Sequence, residues 1–231
     1  GTLAITGGAN TVTIASSVGA SGNALSAMTV ASGSTAVLSS DIYAKNITLT
    51  GNATFNSNVY TTSGAIAIAA GGGGTLTQDT TATVNFTGNG SLTLAGGKTL
   101  TGTVDNTSGS ADQGKLIFSG SATVSGAIGA TKTLESIGLI NAANAAVTLS
   151  GNVGTKAVTL GANAGSVTFA GTTNINDAVN FTAASQTLTF KGTSSLTSGI
   201  NFKGYASTLI LDSTSASKTF TGAISTEGDN T

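Results

Sequence analysis

The chain predicts an all-β fold, a right-handed parallel β-helix, on three observations. An apolar-polar-apolar triplet recurs, usually with Thr or Asn in the middle, as in Val84-Asn85-Phe86, Leu92-Thr93-Leu94, Val147-Thr148-Leu149 and Leu188-Thr189-Phe190. The triplets are bounded by Gly, Asn or Ser. Pro is absent from all 231 residues, and Pro has few permitted places where strands are bonded on both edges. An antiparallel β-sandwich, or two small sandwiches, is the alternative that the same strand spacing allows.

Within each triplet, alternation turns both apolar side chains to one face and the Thr or Asn to the other. The β-branched Thr fits the pleated outer surface. In chain order the apolar anchors are Val12, Met28, Val37, Ile47, Phe55, Ile66, Leu76, Val84, Leu92, Leu100, Leu116, Val124 and Ile137. Val147, Val158, Val167, Val179, Leu188, Ile200, Leu209 and Phe220 follow. Their intervals, mostly about 8–12 residues, are those of an all-β chain. At three anchors per circuit they predict roughly seven coils, a rod roughly 35 Å long at the β spacing.

Gly51-Asn52, Gly88-Asn89-Gly90, Ser108-Gly109, Gly151-Asn152, Gly161-Ala162-Asn163 and Gly192-Thr193 are the turns, expected to use left-handed backbone angles. The run Gly71 to Gly74 reads as a flexible turn, with close backbone approach to a neighbour as the alternative. It does not continue as a calcium-binding nonapeptide, because Leu76 stands at the acidic position. Asn23–Met28 and 130–140 read as irregular corners, with about one helical turn as their other option.

Composition excludes several classes. Charged residues are 7%, against roughly 25% in ordinary globular proteins. Eight Lys face nine acids, for a net charge of −1, so no nucleic acid partner is expected. The longest apolar run, 65–70, is far short of the roughly 20 residues a spanning helix needs, so direct membrane insertion is not expected. With no Cys there are no disulfides or thiolate sites. No leader is read at Gly1-Thr2-Leu3-Ala4, and residues 1–231 are read as one solenoid segment of a longer secreted protein.

The catalytic inventory is equally bare. His and Cys are absent, which removes Ser/His/Asp and Cys/His chemistry. Asp105/Asp112 and Glu227/Asp229 are the nearest acid pairs, both in polar turn or tail sequence and read as solvated loops. Weak calcium binding at Asp105/Asp112 is the only metal option. No enzyme activity, cofactor, metal or catalytic residue is expected. Asp41 and Lys45 form a candidate surface pair. Tyr43, Tyr60 and Tyr205 are the amphipathic aromatics and the candidate contact residues. Their other reading is a cap on a core edge.

The string TGTVDNT, followed by QGKLIFSGSATVSGAIGA up to Ala130, resembles the passenger domains of rickettsial outer-membrane autotransporters of the OmpA/OmpB surface-antigen type. AVTLSGNV, SVTFAGTTNINDAVNFTA and TLTFKG continue the style, and the resemblance spans about 75–225. It implies an extracellular, cell-surface β-solenoid with a coat, stalk or host-attachment role and a separate membrane barrel. No barrel-like strand series is present in the chain. The expected partners are neighbouring segments or copies, through strand stacking, and a host-cell receptor. The alternative function is a self-assembling subunit of an extracellular filament or surface layer, because uncharged β edges invite strand addition.

Overall fold

The structure, a computed structural model, describes residues 1–139, 143–177, 179–212, 214 and 216–226. Among the described residues there are 26 strands and no helix, and every pairing between strands is parallel. The chain is a parallel β-helix of about ten turns. The antiparallel sandwich is excluded by the pairing itself. Residues in register on adjacent turns lie between 17 positions apart, at Ile42 and Val59, and 25 apart, at Ala122 and Val147.

The strands connect into one 12-stranded and one 14-stranded ladder, yet each circuit has three facets because some strands bend round a corner. β9 (Thr80–Phe86) pairs through its first residues with β11 (Lys98–Thr101) and through its last with β12 (Val104–Asn106). β17 (Val153–Leu160) likewise pairs with β19 (Thr173–Ile175) and then β20 (Val179–Phe181). The first facet therefore carries β11 and the start of β9, the second carries β12 and β19, and the third carries β20.

Side-chain ladders fill the interior. On the third facet Phe55, Leu76, Leu94, Phe118, Leu139, Leu160 and Phe181 stack in register, each buried. On the first, Val124, Leu149, Phe169 and Phe190 do the same, with the last two rings stacked at 5.1 Å. Each fully buried apolar side chain contributes roughly 1.5–3 kcal/mol. Most outward ladders are short and uncharged, as in Thr123-Thr148-Thr168-Thr189.

Four sequence expectations change. The rod has about ten turns rather than seven, because some facets are crossed by segments that carry no apolar triplet. Their inward positions include Thr80, Thr173 and Ser194, each buried, whose hydroxyls donate to the carbonyls of Gln78, Gly171 and Gly192. The glycine run is a turn only at Gly71, with φ 74°, and beyond it the alternative reading, close backbone approach to a neighbour, holds. Gly73 and Gly74 are buried in the strand Gly73–Leu76, and Gly72 packs where a Cβ would strike the Leu49 carbonyl. Leu25–Val30 and Leu134–Leu139 are strands, not irregular corners. Alternation at Met28/Val30 and Ile137/Leu139 buries one face of each. The left-handed turn reading holds at Gly161 but not at Gly51, Gly90, Gly151 or Gly192, which have no positive φ.

Candidate contact surface

Tyr43 and Tyr60 come together and Tyr205 does not. Ile42, Tyr43 and Ala44 pair with Val59, Tyr60 and Thr61 on the first facet. Ile42, Ala44 and Val59 are buried, so both tyrosines point outward. Their rings stack with centroids 4.7 Å apart and planes 10° from parallel. That separation matches the spacing of adjacent turns, so the rings lie across the rod axis. Tyr60 is 39% exposed. Neither ring caps a core edge. Tyr205 stands apart in the turn whose N–H donates to the Phe202 carbonyl, and it is exposed.

Partial burial, and then the Asp41 charge beside it, hold the Tyr43 phenol above the ordinary tyrosine range. Both disfavour the phenolate. A phenol held protonated favours the fold at neutral pH, and the contribution is lost as pH rises through the folded-state value. Asp41 does not pair with Lys45. Its Oδ1 accepts from Ser57 Oγ at 2.5 Å, from the Asn58 N–H at 3.3 Å and from Asn58 Nδ2 at 3.4 Å. The ion pair found among the described residues is Lys115–Glu135, 3.1 Å. Both side chains are partly exposed, so it is worth no more than about 1 kcal/mol.

Asp105 and Asp112 serve the loop between β12 and the strand Lys115–Phe118. Asp105 Oδ1 accepts from the N–H groups of Asn106, at 2.9 Å, and Thr131, at 3.0 Å. Asp112 Oδ1 accepts from Thr133 Oγ1 at 2.6 Å. The two carboxylates tie one turn to the next, and no metal-holding group of three or more acids is found among the described residues. EDTA or added calcium is expected to leave the melting temperature unchanged in a thermal scan. A clear shift with either would show a cation bound there. The Glu227/Asp229 pair and Ile140 lie outside the described residues.

The centre of that loop is a residue the sequence pattern gave no reason to single out. Asn106 takes an inward position, in register with Phe86, and is fully buried. Its Nδ2 donates to the carbonyls of Ser110, at 3.0 Å, and Thr133, at 2.9 Å. Its Oδ1 accepts from the Ser108 N–H and hydroxyl. Lys132 Nζ closes the network by donating to the Ser108 carbonyl. Asn106→Ala strands several of these buried groups and is expected to cost about 2–3 kcal/mol in denaturant unfolding. A loss under about 0.5 kcal/mol, the level of an ordinary surface change, would contradict that account.

An open groove of about 420 Å³ is lined by Asn180, Ser198, Asn201, Lys203 and Ser225 over the core residues Val179 and Ile200. It holds a single charged side chain and no acid/base pair. The chain matches no known family model, no curated protein and no solved structure.

Proposed function

We propose that this chain is a non-enzymatic structural and adhesive segment of a bacterial cell-surface protein, a rod of the autotransporter-passenger kind. The observation that carries the reading is the uninterrupted parallel stack, filled by one apolar core and faced by short, mostly uncharged Ser, Thr and Asn ladders. Such a stack gives stiffness, because each turn is hydrogen-bonded to the turns beside it. Its long facets present many weak contacts rather than one pocket. The passenger-like strings along 75–225 supply the extracellular setting. A host-cell receptor is the partner proposed.

A second reading, self-assembly into a filament, draws on the last described turn. Leu211 and Ile224 occupy inward positions there, in register with Phe190 and Ile200, but are 40% and 51% exposed. Strands with one free edge and an exposed core accept further strands, from a continuing chain or from another copy.

Two measurements test these readings. Small-angle scattering over a tenfold concentration range should give a constant, elongated monomer. Mass that climbs toward a long particle of fixed cross-section would favour the filament. Beads coated with the protein should adhere to cultured animal cells more than beads coated with an unrelated β-helix. Equal adherence would overturn the adhesive role.

A further inference from the structure

The outward face beside Tyr60 is built unlike the rest of the rod. Register carries Tyr43 to Tyr60, Tyr60 to Thr81 and Thr81 to Thr101 along the axis. Tyr43 covers one face of the Tyr60 ring. One turn on, the partner on the other side is Thr81, exposed and short, and Thr101 beyond it is exposed as well. The second face of Tyr60 is therefore a flat aromatic wall standing over a floor of threonine.

A second column runs alongside. Two positions upstream of each member stand Asp41, Asn58, Asp79 and Thr99, the first three just before their strands begin, with Asn58 bonded to Asp41 and Thr99 to Asp79. The residue between each pair, Ile42, Val59, Thr80 or Leu100, is buried, which leaves these side chains on the outer side with the tyrosines. Asn58 and Asp79 are exposed. The Thr99 N–H donates to Asp79 Oδ1 at 2.7 Å, which fixes that carboxylate. No partner is found for Asp79 Oδ2 among the described residues. The wall is thus flanked by one anchored carboxylate with a spare oxygen and by one side-chain amide.

We infer that this shelf binds a neutral saccharide, one pyranose ring lying on the free face of Tyr60. The C–H face of a sugar ring is apolar and weakly positive at its hydrogens, and the face of an aromatic ring is negative. Sugar hydroxyls donate well to an ionised carboxylate, and such bonds are stronger than neutral ones. Asp79 and Asn58 supply an acceptor and a donor at the rim, and Thr81 supplies a hydroxyl below.

Other occupants fit less well. A peptide that binds by strand addition needs a free strand edge, and the backbone of this facet is bonded to the turns on both sides. The base of a nucleotide would stack, but the phosphates it carries would meet Asp41 and Asp79 in a chain of net charge −1. The same charges disfavour an anionic glycan. The inference deepens the adhesive reading and names the ligand class one facet would take.

Affinity electrophoresis tests it, in native gels cast with dextran, mannan, galactan or a β-glucan, beside plain gels and gels with alginate. Retardation is expected in at least one neutral gel. Tyr60→Ala should weaken it about tenfold, the size of an aromatic stacking contact with its buried area. Asp79→Asn should weaken it severalfold, while Tyr205→Ala should leave it unchanged. Far-UV circular dichroism checks that each variant keeps the fold.

Unretarded migration in all four neutral gels, retardation insensitive to both Tyr60→Ala and Asp79→Asn, or retardation in alginate alone would overturn the inference. Failure of the shelf and failure of the adhesive role are separable. Tyr60→Ala beads that adhere as well as wild type, with no gel retardation, remove the saccharide site only. Retardation lost with Tyr60, from a protein whose beads do not adhere, removes cell attachment only.

Discussion

Phe118→Ala will destabilise the middle of the rod by about 3–5 kcal/mol, the range for emptying a buried aromatic site. Phe118 is 1% exposed and stacks between Leu94 and Leu139 on the third facet. The strands that hold it are bonded on both sides, so the lattice cannot close over the void without breaking its own ladders. The consequence is more specific than lost stability. In a solenoid each turn touches only its neighbours, so a weak turn in the middle uncouples the two halves. Tyr43 and Tyr60 lie on the N-terminal side of the lesion and Tyr205 on the C-terminal side. In a Tyr205→Phe background, tyrosine fluorescence follows the N-terminal half alone, because the chain has no Trp. Guanidinium unfolding should give coincident fluorescence and circular dichroism transitions for the parent, and separated ones for the Phe118→Ala variant. Phe220→Ala, at a half-buried position in the last described turn, should cost far less. Similar losses at both positions would mean that the interior ladder does not carry the stability.

Much of the fold was legible because the core is written in pairs. Val84/Phe86, Leu92/Leu94, Val167/Phe169 and Val179/Phe181 are all buried, with their middle Thr or Asn on the outer face. The number of turns was not legible. A hydroxyl that bonds back to a carbonyl two residues earlier, as at Thr173 and Ser194, is buried like an apolar residue but reads as a polar one. Asn106 hides for the same reason, since its four partners come from a loop and from the following turn. The tyrosines were legible as candidates by type alone. What makes them a pair is a register of 17 residues, shorter than most circuits. Asn58 and Asp79 could be placed beside them only once that register was known.

The glycines show the same division, and the second large effect comes from them. Gly102, Gly126, Gly151, Gly171 and Gly192 form a column at one corner of the rod. A Cβ on any of the last four would run into the carbonyl of the glycine one turn below. Gly126, Gly151, Gly171 and Gly192 have no positive φ, so they are required by space and not by backbone angle. The obstructing atoms are backbone, which no rotamer change can move aside. Gly151→Ala is therefore expected at the upper end of the overpacking range, about 3 kcal/mol. Gly138→Ala is the matched comparison. Gly138 lies in the strand Leu134–Leu139 at an outward position, and a Cβ there meets nothing within 4 Å. Glycine only weakens a strand at such a site, so Ala should stabilise by about 0.5 kcal/mol or slightly more. One substitution with opposite signs at two positions 13 residues apart is a demand that composition or strand propensity alone cannot meet. It follows only if the corner column stacks backbone against backbone. Melting temperatures that rise for both variants would show that the corner is looser than described, and that the stack is held by its facets alone.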